Sequence, residues 1–324
     1  MYNPVHKSNK MKSKKVNNPK RSLYVTSVIL IVTVAVGYLS GCTSANASQS
    51  SSDSNRTVNQ QTKDYWYDGT AEITSYKLEQ ARYGDIHEGT AVLLYVTEPF
   101  SKESNTKADN HRDSNVPVLK LNSSKKFVTG IYPYSIMTSS FFPFENGDAS
   151  LKIASSMQEW CGMTYMQMTN KGDLNFKVDS YFEGQSFENK KIEKQLLEDD
   201  LWTLIRLNPK NLPTGEQEII PALSYMRYKH VALQAYKAIV SLDKTDETTN
   251  KYTLAYPELS RSISIQFSES FPHAILGWEE EHYSGYGADK KLLTTKATLN
   301  KSVKADYWNK NLNQHSEWRD KLGL

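Results

Sequence analysis

Between Gly89 and Thr97 the chain reads Gly-Thr-Ala-Val-Leu-Leu-Tyr-Val-Thr, an apolar run of strand length closed by Pro99. Ser262–Ser268 alternates strictly, with Ile263, Ile265 and Phe267 on one face. Phe271-Pro272 then turns the chain into His273–Tyr283, its expected antiparallel partner. Short, turn-bounded strands are predicted at Val118–Leu121, Lys126–Tyr132, Tyr134–Phe142 and Leu151–Ser156. Met157–Met168 and Leu174–Phe182 flank Thr169–Asp173, whose Asn, Gly and Asp suit a hairpin loop. Tyr65–Tyr67 and Ala71–Tyr83 also read as strands, although Tyr76–Tyr83 fits a short helix as well. Ser101–Pro117 is polar and charged; its length suits an exposed insertion or a mobile lid.

Two stretches carry helical spacing instead. Lys194–Leu207 brings Leu197, Leu201, Leu204 and Ile205 to one side and stops before Pro209. Lys304–Leu322 does the same with Trp308, Leu312, His315 and Leu322. Strands outnumber helices and no strand–helix–strand alternation appears. The expected class is therefore mainly β: an antiparallel sheet or half-open barrel with one or two packed helices. Residues 64–324 are expected to form one exported domain, with Asp243–Asn250 as the alternative boundary.

The first 41 residues follow a different pattern. A basic stretch precedes an apolar run from Leu23 to Leu39, and Leu39-Ser40-Gly41-Cys42 follows with small residues before the cysteine. These are the parts of a secretory signal and resemble a bacterial lipobox. That resemblance implies cleavage before Cys42, acylation of its thiol and new amine, and anchoring to the lipid membrane. An uncleaved single-span anchor is the alternative, and Met11 is a second candidate start. Peptides covering residues 2–10 in the unprocessed precursor would refute a start at Met11. Residues 42–63 are almost free of apolar side chains and are expected to be a disordered tether. Thr43-Ser44 after the cysteine resembles outer-membrane-destined lipoproteins, so the periplasmic face of the outer membrane is the expected address.

The leader also changes the charge. The chain is +3 overall, but residues 1–41 hold seven Lys/Arg and no acid. Taking 7 from 39 leaves 32 basic residues against 36 acidic ones, about −4 for the mature part. A nucleic-acid partner is not expected from such a balance. With Cys42 acylated, Cys161 has no partner for a disulfide, and one cysteine with scattered histidines does not build a structural zinc site. No cofactor and no metal site are predicted.

Trp278-Glu-Glu-Glu-His-Tyr283 is the most suggestive cluster. On a strand, Glu280 and His282 share a face, where they would form an acid–base pair or two metal ligands; a solvated strand face is the alternative. Asp85, His87 and Glu88 lie in a stretch that reads as a hairpin turn, and Glu198, Asp199 and Asp200 read as the wet face of a helix. Cys161 reads as a small buried apolar residue rather than a nucleophile.

The stretches YWYDGTAEITSYKLEQARYGDIHEGTAVLLYVTEPFS, GIYPYSIMTSS, SMQEWCGMTY, LLEDDLWTLIRLNPKNLPTGE and ATLNKSVKADYWNKNLNQHSEWRDKL resemble an uncharacterised, flavobacterial-type family of Bacteroidota lipoproteins sometimes labelled "septum formation inhibitor Maf". The resemblance runs from about Tyr65 to the end and implies an exported, lipid-anchored protein but no activity. True Maf proteins resemble nucleotide pyrophosphatases of the cytoplasm with an early Ser-Pro-Arg-Arg-type motif, which is absent here. The expected function is thus that of a membrane-anchored envelope lipoprotein, non-enzymatic, binding an envelope protein or an apolar ligand. A carboxylate-dependent envelope hydrolase built on Glu280 and His282 is the alternative.

Overall fold

The computed structural model describes residues 58–110 and 112–324. The expected signal segment and Cys42 lie outside the described residues. Among those described, no helix is long and apolar enough to cross a membrane.

Sixteen strands make one sheet: β1 (Ala71–Arg82), β2 (Asp85–Ser101), β3 (Thr106–Lys107), β4 (Asn115–Thr129), β5 (Tyr132–Pro143), β6 (Lys152–Glu159), β7 (Gly162–Lys171), β8 (Asp173–Ser180), β9 (Phe187–Ile192), β10 (Leu196–Leu197), β11 (Gly215–Ile220), β12 (Tyr236–Lys244), β13 (Thr249–Tyr256), β14 (Arg261–Ser268), β15 (Ile275–Ser284) and β16 (Lys291–Ala305). Their order is β10-β11-β12-β13-β14-β15-β16-β1-β2-β4-β5-β6-β7-β8-β9, with β3 on β2. Every pairing is antiparallel except the two-residue β10–β11 contact. The chain is therefore mainly β, a large open antiparallel sheet with few helices.

Short turns hold most of this meander together. Between β1 and β2 only Tyr83 and Gly84 remain, both at positive φ (54° and 84°), which suits the right-handed twist of the flanking strands. The alternation read in Ser262–Ser268 is present, with Ile263 opposite Glu280 and Ile265 opposite Trp278 on β15. The expected Thr169–Asp173 hairpin tightens to Gly172 alone, and the expected Met157–Met168 strand is broken at Trp160-Cys161 into β6 and β7. Asp243–Asn250 is the β12–β13 hairpin rather than a domain boundary. Ser101–Pro117 is pinned by β3 and by the start of β4, so it is not a free lid.

The helices differ most from the sequence pattern. Tyr65 and Trp66 end α1 (Gln60–Trp66), which Asn59 caps by accepting from the Thr62 N–H at 2.9 Å. Val58 is buried, so the tether expected to reach residue 63 gives way by residue 58 to folded chain. α2 (Glu198–Leu207) starts four residues later than expected, because Leu196 and Leu197 pair with β11. The expected C-terminal helix is instead the end of β16, two 3-10 turns and a short helix, Glu317–Leu322. Lys304 and Ala305 continue the ladder opposite Glu72 and Ala71, and ladder hydrogen bonds override the helical spacing there.

α2 lies inside the curl of the sheet, with nine of its ten residues buried. Leu201, Leu204 and Ile205 join the main core with Tyr95, Tyr252 and Phe267, worth about 1.5–3 kcal/mol for each fully buried aliphatic side chain. α3 (Leu223–Lys229) fills the seam between the sheet's two edges. Leu223, Met226 and Leu233 pack on Ile153, Met168 and Phe176, and Lys190 of β9 donates to the Leu233 carbonyl at 2.7 Å. Antiparallel register puts the β1–β2, β4–β5, β6–β7, β8–β9, β13–β14 and β15–β16 turns at one end, here the upper end. α1 sits at the lower end, about 40 Å away along the 12-residue β1.

Candidate functional site

α2 is held at both ends by buried ion pairs with the barrel wall. At its first turn, Glu198 accepts from Arg261 Nη1 and Nη2 at 2.6 and 2.7 Å, and from the Tyr256 hydroxyl at 2.8 Å. Arg261 Nε donates to Glu280 at 2.7 Å, and the guanidinium lies 3.9 Å over the Tyr225 ring. At its last turn, Arg206 donates from Nη2 to Glu72 at 2.7 Å and from Nε to the Pro272 carbonyl at 3.0 Å. The acidic and basic ends also match the helix dipole. A planar guanidinium suits both positions, since it meets a carboxylate with two parallel hydrogen bonds.

The sequence-predicted pair does reach one place. Glu280 and His282 share the inward face of β15, buried near the upper end rather than on a solvated strand face. They do not form an acid–base couple: Glu280 is engaged by Arg261, while neither ring nitrogen of His282 has a partner among the protein's own groups. Burial opposes the Glu280 charge, yet Arg261, with Lys125 and His282 behind it, holds the carboxyl down at about 2. Burial also takes the His282 imidazole down to about 4, against the pull of Glu280. Among the described residues no group of three His, Cys, Asp or Glu side chains is placed to hold a metal ion.

Other expectations are corrected by the enclosure of α2. Glu198, Asp199 and Asp200 are buried, because a helix inside a barrel has no wet face. Burial raises the Asp199 carboxyl to about 7, although the Leu223 N–H donates to it at 3.0 Å. Asp200 accepts from the Ser150 N–H at 2.9 Å and from the Ser150 hydroxyl. Cys161, expected to be buried, is exposed in the β6–β7 turn, where it and Trp160 reverse the chain. Asp85, His87 and Glu88 follow directly on the β1–β2 turn and open β2.

A cavity of about 50 Å³ lies between α2, α3 and the wall, lined by Lys125, Glu198, Trp202, Arg261, Trp278 and Glu280 among others. It has room for a few water molecules, not for an acyl chain or a sugar. The interior is filled by the protein itself.

The upper end is different. Tyr83, Ile131, Trp160, Tyr181 and Tyr286, each from a different turn there, are exposed. Tyr83 touches Tyr286 (5.9 Å between centroids), its hydroxyl bonds those of Tyr132 and Tyr134 (2.9 and 2.6 Å), and Tyr132 stacks on Trp160. Inside this fringe Arg82 donates to the Tyr228 carbonyl near the end of α3 (3.1 Å) and to the Tyr134 hydroxyl (3.3 Å), and lies 4.2 Å over the Tyr228 ring. Arg227 donates to Gln185, and Lys229 to the Tyr283 carbonyl at 2.6 Å. Arg82, Arg227 and Lys229 thus have carbonyl, phenol, amide and imidazole partners, none a carboxylate. Burial, and then the charge of Arg82, lowers the pKa values of Arg227 and Lys229. Burial and Arg227 lower that of His230. These cations repel one another across the rim.

Sequence reasoning missed Arg261, Arg206, Glu72 and the rim cations. A signal existed for two of them. Arg261 falls in the same alternating register as Ile263, Ile265 and Phe267, and Glu72 in that of Tyr76 and Leu78. A charge in an apolar register marks a buried partner elsewhere.

No family model matches the chain, and no curated protein matches it. Among solved structures it is similar to a β-barrel-like protein of a domain of unknown function, DUF1849, from Brucella abortus. That likeness is 9% identical, covers 72% of this chain and 97% of the other, and has a TM-score of 0.42.

Proposed function

We propose that the protein is an envelope lipoprotein, anchored through acylated Cys42, that binds its partner at the upper rim of the barrel and carries out no reaction. One observation supports this reading above others. The lumen is occupied by α2 and keeps about 50 Å³ free, whereas exposed Tyr, Trp and Ile side chains gather on the turns of one end. Contiguous exposed apolar surface on a folded domain marks an interaction site. Aromatic side chains supply most of the contact energy of such sites at small entropic cost.

The test has two arms. Labelled palmitate should be incorporated by the wild-type chain and not by Cys42→Ala. A photo-crosslinking amino acid at Ile131 or Tyr286 should capture envelope components that the same probe at Tyr67, exposed directly after α1 at the lower end, does not. Equal capture at all three positions would remove the rim from the proposal, and palmitate labelling of the Cys42 variant would remove the anchor.

A further inference from the structure

A cavity of about 60 Å³ opens inside the rim, between the β1–β2 turn, the β15–β16 turn and the end of α3. Arg82, Lys229, His230 and His282 line it together with tyrosines, Ser284 and Gly285, and no carboxylate does. His282 is 2% exposed, and both of its ring nitrogens lack a partner among the protein's own groups. Nε of Arg82 is likewise buried without one. The nearby acids lie outside the cavity: Glu280 pairs with Arg261, and Glu159 lines the neighbouring cavity beside Arg227. Buried donors without partners are costly, and two adjacent cations, Arg82 and Lys229, with no carboxylate bonded to either add to that cost. Both conditions are relieved by one compact anion with several acceptor oxygens, and a phosphate group is such an anion.

We propose that this cavity binds the phosphate of an anionic lipid headgroup, with Arg82, Lys229 and His282 as its ligands. A lipid is favoured over free phosphate by what surrounds the cavity. Tyr83, Trp160, Tyr181 and Tyr286 are amphipathic side chains of the kind that sit at headgroup level, and Ile131 projects beyond them. A free anion would gain nothing from that fringe. The first described residues and α1 lie at the opposite end, so they leave the rim uncovered. The inference rests on binding at the rim, and it names what is bound.

The test is titration calorimetry of the full chain in non-ionic detergent. The ligands are dihexanoyl-phosphatidylglycerol, dihexanoyl-phosphatidylcholine and inorganic phosphate. The wild type should bind the anionic lipid at least about tenfold more tightly than the zwitterionic one. Lys229→Gln, whose ammonium lies at the surface, should lose about tenfold for phosphatidylglycerol and less for phosphatidylcholine, whose choline already offsets the charge of the same phosphate. Arg82→Gln should do the same, and Arg82→Lys, which keeps the charge, should recover part of the loss. Trp160→Ala with Tyr286→Ala should weaken the lipid without changing inorganic phosphate. Equal affinity for both lipids, or an unchanged preference in Lys229→Gln, would overturn the site. Inorganic phosphate bound as tightly as phosphatidylglycerol would overturn the lipid assignment. Rim-specific crosslinks to a protein would survive either failure, so this inference and the broader reading fail separately.

Discussion

Arg261→Met removes a cation that bonds two buried carboxylates. Arg261 is 3% exposed and makes three charge-assisted hydrogen bonds, two to Glu198 and one to Glu280. Removing one partner of a buried ion pair costs about 3–5 kcal/mol, mostly because the remaining charge is stranded. A second estimate comes from Glu280 alone. Its depression from 4.5 to about 2 corresponds to about 3 kcal/mol at neutral pH. That stability is present above pH 4.5 and is lost as pH falls through 2. In the variant Glu280 loses the counter-ion that opposed its burial and favours its neutral form, so acid relieves the strain. Urea unfolding followed by the fluorescence of buried Trp66 and Trp278 should show a loss of about 3–5 kcal/mol at pH 7, shrinking markedly by about pH 3. Adding Glu198→Gln and Glu280→Gln should restore much of it by removing both stranded charges. A loss below about 1 kcal/mol at pH 7, or one equal in acid and at neutrality, would refute the assignment of Arg261 as counter-ion.

Three further tests address other parts of the molecule. Gly277→Ala puts a Cβ 2.4 Å from the Ala297 carbonyl oxygen across the β15–β16 ladder, and should cost about 1–3 kcal/mol in the same unfolding assay. Asp199 and His282 oppose each other in mild acid. The raised pKa of Asp199, about 7 against 3.8, contributes stability present below pH 3.8 and lost as pH rises through 7; the lowered pKa of His282, about 4 against 6.5, contributes stability present above pH 6.5 and lost as pH falls through 4. As pH falls from 7 to 4, Asp199→Asn should therefore lose stability relative to wild type and His282→Gln should gain it, as thermal melts across that range will show. The exposed Cys161 thiol has its pKa raised by its hydrogen bond to Glu159, so Glu159→Gln should speed its alkylation by iodoacetamide at about pH 8.

Much of the sheet is legible in the sequence because strand pairing depends on local pattern and turn residues. Ser262–Ser268 alternates and turns at Phe271-Pro272, and those features alone predict the β14–β15 hairpin. The C-terminal segment reads as a helix because Trp308, Leu312, His315 and Leu322 carry a helical period, which the ladder between β16 and β1 overrides. The candidate site is legible only as a shared face. Alternation along β15 puts Glu280 and His282 together, but the partners Arg261, Glu198 and Lys125 come from three other elements. The rim is not legible at all, since its turns are spread from Tyr83 to Tyr286 and meet only because successive strands run up and down.

The sequence by itself determined the mainly β class, the positions of most turns, and which side of β14 and β15 differs from the other. Periodicity measures contrast between faces, and it carries no information about what covers each face. Only the tertiary structure decided that. Because the sheet curls around α2, the acidic first turn of that helix became a buried counter-ion to Arg261 instead of a wet surface. The same curl drew Arg82, Lys229 and His282 to one mouth, however far apart they lie along the chain, because β1, β15 and α3 meet there.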